Sequence, residues 1–402
     1  MEKDTGKKVK IALMLSLIIS LLFFTGCWGK REVEDLAPLL GVGFDLGEKP
    51  GTFLITNQYA QPKKEKGGVQ INDRTLSVEA SSARQAFEKM SKILNQTPFM
   101  GSLKVIVIGE DAAKAGGFND ILDFDQRFAE FRRSMYLVLA KGKAQDLLNL
   151  KLGSEVLPAL YIKDLIEGGD ELSAFPTVRL GHYLTILGTK STAPILPVVE
   201  SVKPGEGAEY EAKEKGKAEE IRIQGAGVLK EDRLVDFLTD EETKGYMWLE
   251  NDVVNRSIDT MSLAEDSVKF GGQVLKSKTK YKVEMNSGKA ELHYQIKTSI
   301  AIDEVLGLTK QLSGPEWIEL VKEAEKSFAK VIKKECETSI KKERELGLDY
   351  LGIGRHIEQK NPRYWKTIKD QWNAEIADFP VSIEVETIVH HSGMSSSSAI
   401  NS

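Results

Sequence analysis

The sequence predicts an α+β protein of several domains, with mixed or antiparallel sheets covered by helices. Three observations favour this class. Short apolar runs alternate with helical patterns between residues 39 and 140. Two segments of alternating polar and apolar residues lie on either side of Asn286-Ser287-Gly288, and a long amphipathic pattern follows from Ser313 to Leu346. The last two observations predict a C-terminal domain in which a long helix packs on an antiparallel sheet.

In the N-terminal half, Ser82 is predicted to begin a helix, because Gln85 three residues later completes the spacing of a capping box. A polar loop is expected from Pro62 to Arg74, and a second helix over residues 112–124. Strands are expected at the short apolar runs over residues 39–46, 52–59, 75–80, 104–108 and 135–140.

The middle of the chain gives weaker signals. Short helices are expected from residue 144 to 167, with Pro158 opening one of them. Residues 176–187 are predicted to be extended, and residues 191–199 irregular or an edge strand because of Pro194 and Pro197. Residues 203–220 are nearly all Lys, Glu, Gly and Ala, which have little to bury, so a linker or exposed excursion is expected there.

The C-terminal part begins with a predicted hairpin of residues 225–229 and 233–238, followed by a helix over residues 240–249. Residues 279–285 and 292–302 form a second, half-buried hairpin. The long helix has a capping box at Ser313 and ends before Gly347. Its apolar stripe is expected to pack across a sheet; the alternative is a surface kept for a partner helix. The stripe consists of Trp317, Leu320, Val321, Ala324, Phe328, Val331, Ile332 and Ile340.

The composition is that of an ordinary globular protein, with 402 residues, 41% hydrophobic and 29% charged. The formal net charge is −5; the first 26 residues hold four lysines and two acids, so the rest of the chain has −5 − 2 = −7. This balance gives no reason to expect binding to nucleic acid, which usually requires a strong basic excess.

The N-terminus has the pattern of a secretory signal peptide. Lysines over residues 7–10 precede an apolar run from Ile11 to Phe24, which stops at small residues just before Cys27. A helix of this length rises about 21 Å, which is short against a bilayer core of about 30 Å. A permanent N-terminal anchor helix is the alternative.

Thr25-Gly26-Cys27 resembles a bacterial lipobox, with Phe24 in place of the usual leucine. The resemblance implies cleavage before Cys27 and lipidation of its sulfur. Two acyl chains on one thiol would hold a water-soluble domain stably at a membrane. Cys336 then has no partner for a disulfide bond, and its place in a helical pattern favours a buried, inert thiol over a reactive one.

No motif for catalysis, metal binding or cofactor binding is present, so an enzyme is not expected and no cofactor is predicted. Gly188-Thr189-Lys190-Ser191 lacks the spacing of a phosphate loop, and the Gly-x-Gly pairs at Gly41, Gly225 and Gly352 lack a third glycine. These pairs are interpreted as bends or tight packing. The histidines are scattered without neighbours at metal-ligand spacing: His182, His293, His356, His390 and His391.

Two stretches resemble the Ger(x)C family of spore germination lipoproteins, the C subunits of nutrient germinant receptors. The first runs from Cys27-Trp28-Gly29-Lys30-Arg31 to Leu40-Gly41-Val42-Gly43-Phe44-Asp45. The second is a long helix, an Asp349-x-x-Gly352-x-Gly354 bend, a helix starting at Asn361-Pro362 with Trp365 and Trp372, and a last strand from Val381 to Val389. Together the resemblance covers residues 20 to 392, with the middle matched by layout.

The resemblance implies a lipid-anchored subunit on the outer face of the spore inner membrane. It implies assembly with two membrane-embedded receptor subunits, one of them permease-like, so that nutrients trigger ion release and germination. It also implies three domains, so the N-terminal domain is expected to include a small extra unit. Binding of the small-molecule germinant by this subunit is left open. The boundaries expected are 1–26 for the signal peptide, 27–202 for the N-terminal domain, 203–222 for the linker, 223–392 for the C-terminal domain and 393–402 for a tail.

Two other classes of function are considered. A solute-binding lipoprotein that delivers a small molecule to a transporter predicts two similar α/β lobes around a cleft, whereas the two halves of this sequence differ. A surface-anchored hydrolase has no candidate residues.

Overall fold

The computed structural model describes residues 36–65, 68–122, 132–152, 156–189, 191–202, 220–265, 267–308 and 312–390, with isolated residues 13, 14 and 16. The predicted signal peptide, Cys27, nearly all of the predicted linker and the C-terminal tail lie outside this description. None of the helices within these ranges has both the length and the apolar character needed to cross a bilayer.

In the described part of the chain, the first sheet has nine strands. Its central strands β1, β5, β6 and β7 are parallel, and antiparallel strands flank them on both sides. The order is β3-β2-β1-β5-β6-β7-β8-β9, and the short β4 pairs with the start of β1. The strands are β1 (Leu36–Leu46), β2 (Phe53–Glu65), β3 (Gly68–Ala80), β4 (Thr97–Phe99), β5 (Val105–Ile108), β6 (Tyr136–Ala140), β7 (Ile195–Val202), β8 (Glu220–Lys230) and β9 (Arg233–Leu238).

Helices cover both faces of this sheet, because its central strands are apolar on both sides. They are α1 (Ala83–Ser91), α2 (Glu110–Ala115), α3 (Ala144–Leu148), α4 (Pro158–Glu171) and α5 (Leu180–Thr189). On β5, Ile106 and Ile108 belong to the core beneath α1, α2 and α5, whereas Val105 and Val107 belong to the core beneath α3 and α4.

The C-terminal part forms a second sheet in the order β10-β11-β12-β13. One long helix, α7, packs on it. The elements are α6 (Asp240–Leu249), β10 (Ser257–Met261), β11 (Lys269–Asn286), β12 (Lys289–Leu306), α7 (Gly314–Leu346), α8 (Ile353–Lys360), α9 (Pro362–Ile368), α10 (Trp372–Glu375) and β13 (Val381–His390). The predicted α+β class and the long helix on a sheet are confirmed.

The signals that predicted α7 have the expected structural roles. The backbone N–H of Ser313 donates to Glu316 at 2.8 Å, and Gly347 ends the helix with a φ of 61°. The 33 residues span about 50 Å. Phe328 and Cys336 are fully buried in its apolar stripe, so the predicted buried thiol is confirmed.

One detail of the second sheet differs from the prediction. β10, β11 and β12 are antiparallel, but β13 pairs with β12 in parallel, with Leu292 opposite Val381. The sheet is therefore mixed. The cause is the connection, because α7 to α10 carry the chain back to the end of the sheet where β12 began, as a parallel crossover requires.

Three predictions for the N-terminal half are wrong. The polar loop over residues 62–74 is a hairpin, in which β2 and β3 stay in register from Phe53 and Ala80 to Glu65 and Gly68. Residues 176–187 are not extended, since α5 begins at Leu180. The segment thought irregular or an edge contains β7, an interior strand, and its Pro197 lies beside a register shift where the missing N–H is tolerated.

The two parts share strands at their junction. The predicted hairpin of β8 and β9 forms the last two strands of the first sheet. Ala226 and Val228 of β8 lie in the same apolar core as α6 and α7. The C-terminal part is thus built onto the last strands of the first sheet.

Candidate functional site

The predicted lipidation site, Cys27, lies outside the described residues. Within the described part of the chain, no group of three or more His, Cys, Asp or Glu side chains could hold a metal ion. The most concentrated buried polar chemistry is instead at the Asp349–Gly354 bend, where the C-terminal part meets the first sheet.

Asp349 is 3% exposed, and its carboxylate accepts three hydrogen bonds. The Oδ1 atom accepts from the backbone N–H of Ile353 at 2.7 Å. The Oδ2 atom accepts from the N–H of Gly354 at 2.5 Å and from Trp372 Nε1 at 2.8 Å. Gly352 has a φ of 68°, which favours glycine, and brings these N–H groups round to the carboxylate. The bend therefore starts α8 on an aspartate whose two carboxyl oxygens both accept hydrogen bonds.

Glu343 of α7 is fully buried next to Asp349. Its Oε1 atom accepts from the N–H of Leu351 at 2.8 Å, whereas no N–H donor reaches its Oε2 atom among the described residues. Burial and the neighbouring Asp349 carboxylate raise the pKa of Glu343 well above its usual value. Burial also raises the pKa of Asp349, but its three N–H donors oppose this. Burial and the adjacent carboxylate therefore favour the protonated form of Glu343, and its Oε2 atom is the one left to carry the proton.

A partly buried ion pair and a buried histidine lie beside this carboxyl pair. Arg355 donates to both oxygens of Glu250, at 3.1 and 3.0 Å, and so opposes the effect of burial, which raises the pKa of Glu250. The ring of His356 stacks on Tyr281 at 3.8 Å and shares a hydrogen bond with the Tyr294 hydroxyl. Burial lowers the pKa of His356 to about 3, so its ring is neutral at ordinary pH.

The same bend contacts the first sheet directly. Ala193, just before β7, donates its N–H to the carbonyl of Asp349 at 2.6 Å. A second bridge joins Ser173 to Val254, whose N–H donates to Ser173 Oγ at 2.6 Å. Hydrogen bonds at and near the buried polar centre therefore join the two parts of the molecule.

Two cavities lie against the first sheet, and one of them is at this junction. One of about 540 Å³ lies between the sheet and the bend; its polar lining includes Asn119, Lys230, Glu231 and Asn373. The other, of about 560 Å³, is mainly apolar and lies between α4 and β8, with Leu165, Phe175 and Ile221 among its lining residues.

The arrangement is suited to holding a shape rather than to turning over a substrate. The carboxylates that a general base would need are buried against N–H donors or a guanidinium, and no nucleophile pairs with a base at the junction. Sequence reasoning identified Asp349, Gly352 and Gly354 as a bend but missed Glu343. The available signal was its position seven residues after Cys336, inside the apolar stripe of α7.

Comparisons with known proteins agree over nearly the whole chain. The "Spore germination protein N-terminal domain" matches residues 29–201, and the "Spore germination B3/ GerAC like, C-terminal" domain matches residues 224–393. Spore germination protein KC of Bacillus subtilis (strain 168) is 26% identical over 400 residues, covering 96% of each chain. Spore germination protein B3 of the same organism is 24% identical, covering 94% of this chain and 97% of that one. The crystal structure of the GerBC protein superposes with a TM-score of 0.54 at 19% identity, over 89% of this chain and 99% of that chain, and so shares its fold.

Proposed function

Because this chain belongs to the Ger(x)C family of spore germination proteins, and not to a family of enzymes, we propose that it is the lipid-anchored subunit of a nutrient germinant receptor. In this proposal it works on the outer face of the spore inner membrane. The observation that carries the proposal is the match of both family domains, in order, to residues 29–201 and 224–393. The lipobox-like Thr25-Gly26-Cys27 supplies the anchor.

The proposed mechanism is assembly by contact. Two acyl chains on Cys27 confine the folded part to a thin layer above the bilayer, which raises its effective concentration near membrane partners. The partners proposed are the two membrane-embedded receptor subunits, one of them permease-like. The hydrogen bonds and the shared apolar core at the junction support this role, since they join the two parts into one contact surface.

The alternative of a solute-binding lipoprotein predicts an architecture that the described residues do not have. It requires two similar lobes around a cleft. In the described residues, a nine-stranded sheet covered on both faces is joined to a four-stranded sheet with one long helix. No observation favours that alternative over the receptor subunit.

The anchor is tested by metabolic labelling with an alkyne fatty acid in the native spore former. Cys27→Ala should lose the label and leave the membrane fraction, whereas Cys336→Ala, the matched control, should keep both. Label retained by Cys27→Ala would refute the anchor. The receptor role is tested by deletion, which should abolish germination with nutrients while spores stay dormant and viable. The tagged protein should also co-purify with a permease-like subunit; normal nutrient germination in a strain without a related receptor would contradict the role.

A further inference from the structure

We propose that one end of the first sheet faces the lipid bilayer and binds its anionic headgroups. We call this the tether end and define it by Leu36, Lys92, Ile93, Lys104, Arg132 and Arg133. The inference rests on the lipid anchor proposed above and adds to it an orientation and a lipid class.

The parallel strands bring these residues together. Lys104 directly precedes β5, and Arg132 and Arg133 precede β6. The N–H of Lys104 bonds to the carbonyl of Leu40 in β1, and the N–H of Tyr136 bonds to the carbonyl of Lys104, both at 2.9 Å. Since parallel strands start at the same edge of a sheet, the three cations lie at the end where β1 begins.

The end of α1 lies at the same level. Gln96 donates its side-chain N–H to the carbonyl of Leu36 at 3.3 Å, so the chain after Lys92 and Ile93 meets the first residue of β1. Arg74 donates to the carbonyl of Ile93 at 3.3 Å, and its strand partner Tyr59 is itself paired with Leu39. The tether end therefore includes an exposed apolar side chain, Ile93, which is 52% exposed.

The charges of the tether end are mostly unpaired. Arg132 and Arg133 are exposed, and in the described part of the chain neither they nor Lys104 has a carboxylate within 4 Å. Only Lys92 has an ion-pair partner, Glu88, at 3.3 Å. Unpaired lysines and arginines beside an exposed apolar residue suit the headgroup layer of an anionic membrane.

The opposite end of the same strands has a different balance. Glu48, Glu110 and Asp111 follow the carboxyl ends of β1 and β5, alongside Lys49, Lys141 and Lys143. Acids and bases balance there, so an anionic surface should attract the end with Arg132 and Arg133 more strongly.

The chain between Cys27 and the start of β1 is short, so it favours this end of the sheet as the one that faces the bilayer. Eight residues lie between Cys27 and Leu36, and the nine Cα–Cα steps span at most about 30 Å when the chain is extended. The 11 residues of β1 extend a further 35 Å or so from Leu36 to Leu46. The neighbouring start of β7 is covered by the C-terminal part through the bond between Ala193 and Asp349. On the other side, the β2–β3 hairpin runs past the start of β1 to its tip, where Glu65 pairs with Gly68, so the tether end lies between these two neighbours.

The experiment uses the full-length acylated protein on vesicles that carry a nitroxide quencher in the headgroup layer. A fluorophore is attached through Ile93→Cys or, as the matched control, through Leu46→Cys. The two sites are 52% and 51% exposed and lie at opposite ends of β1. Cys336 is buried and does not compete for the label. On vesicles with about one third phosphatidylglycerol, we expect quenching at position 93 to exceed that at position 46 at least threefold.

The charge contribution is isolated by a pair of double variants. The double variant with Arg132→Glu and Arg133→Glu should bring quenching at position 93 to within twofold of that at position 46. The control with Lys141→Glu and Lys143→Glu should preserve the difference in quenching. Salt at 0.5 M should also reduce the difference in quenching, because screening shortens the range of the attraction between the cationic side chains and the anionic headgroups.

Three results would overturn the inference, and they can be told apart. Equal quenching at both positions on vesicles that carry the protein contradicts the orientation while the anchor stands. Selective quenching at position 93 only when the receptor's membrane subunits are present makes this end a protein interface. Protein that does not float with the vesicles at all contradicts the proposed anchor, and the orientation falls with it.

Discussion

Replacing either member of the buried carboxyl pair with its amide tests where the proton lies. In Glu343→Gln the amide N–H₂ can take the place of the protonated Oε2 and donate to Asp349, while the amide oxygen still accepts from Leu351. In Asp349→Asn only one oxygen remains for the three N–H donors of Ile353, Gly354 and Trp372, so an amide N–H₂ must face at least one of them.

The two changes are equal in size but differ in cost. Asp349→Asn loses at least one charge-assisted hydrogen bond, worth about 1.5–3 kcal/mol, and leaves buried donors unpaired at about 1–3 kcal/mol. We expect it to lose about 3–5 kcal/mol of stability, which lowers the unfolding temperature by roughly 6–20 °C when the C-terminal part, residues 224–393, unfolds as one unit. Glu343→Gln should cost less than about 1 kcal/mol. The assay is calorimetric or circular-dichroism melting of the chain that begins at Trp28.

The pH dependence gives an independent measure of the same proton. Because the folded pKa of Glu343 is raised, folded chains keep a proton that unfolded chains release above pH 4.5 or so. The stability due to this proton is fully present below that value and falls by about 1.4 kcal/mol per pH unit as the pH rises toward the folded pKa. The wild type should therefore lose stability relative to Glu343→Gln between pH 5 and 7. A stability difference between the wild type and Glu343→Gln that stays constant over this range would refute the proton assignment. An Asp349→Asn variant as stable as the Glu343→Gln variant would also refute it.

Three further predictions concern packing and titration. Gly245→Ala should destabilise by about 1–3 kcal/mol in urea unfolding, since a Cβ there would lie 2.1 Å from the Glu335 carbonyl oxygen. Gly168→Ala, in α4, should instead stabilise the fold by about 0.5–1 kcal/mol, because a Cβ there would meet no other atom within 4 Å. Equal effects of the two substitutions would contradict the close approach of α6 to α7. Cys336 should react with maleimide only after denaturation, since burial raises its thiol pKa well above the usual value; labelling of native protein would contradict this. His356 should stay neutral down to pH 4 by NMR, because its pKa is about 3; a midpoint near 6 would mean that its ring is solvated.

Sequence reasoning worked best where local signals decide the structure. The capping box at Ser313, the αL glycine at Gly347 and the period of the apolar stripe fix α7 within its own residues. The hairpin of β11 and β12 likewise follows from strict alternation and a turn at Asn286-Ser287-Gly288. In both, the deciding signals lie within the element itself or within one hairpin.

Prediction failed where partners distant in sequence decide the structure. β2 and β3 continue as a polar ribbon because their backbones hydrogen-bond to each other. No apolar pattern in the sequence indicates this pairing. β7 is interior because β8 covers its outer side, although Pro194 and Pro197 suggested an edge. The buried polar centre depends on Glu250 and Arg355, which are 105 residues apart. Pair formation over such separations is invisible in a single sequence.

The two stretches that carry the family resemblance perform the same structural task in different parts of the molecule. In the first, Asp45 is buried at the end of β1 and accepts from the N–H groups of Ala144 and Gln145, both at 2.8 Å, at the start of α3. In the second, Asp349 accepts from two N–H groups at the start of α8. Each aspartate is therefore committed to the beginning of a helix.

Glycines make both arrangements possible. A Cβ on Gly43 would lie 3.0 Å from Ala144, and one on Gly41 would lie 2.7 Å from Ala159, so α3 and α4 pack directly on the β1 backbone. A Cβ on Gly354 would lie 2.7 Å from the Trp365 ring. The predicted tight packing at Gly41-x-Gly43 is thus confirmed. The signature residues are already used to fix the fold. The contacts that distinguish one such subunit from another must therefore be made by exposed side chains. We expect the membrane to contact the exposed side chains of the cationic end near Arg132 and Arg133.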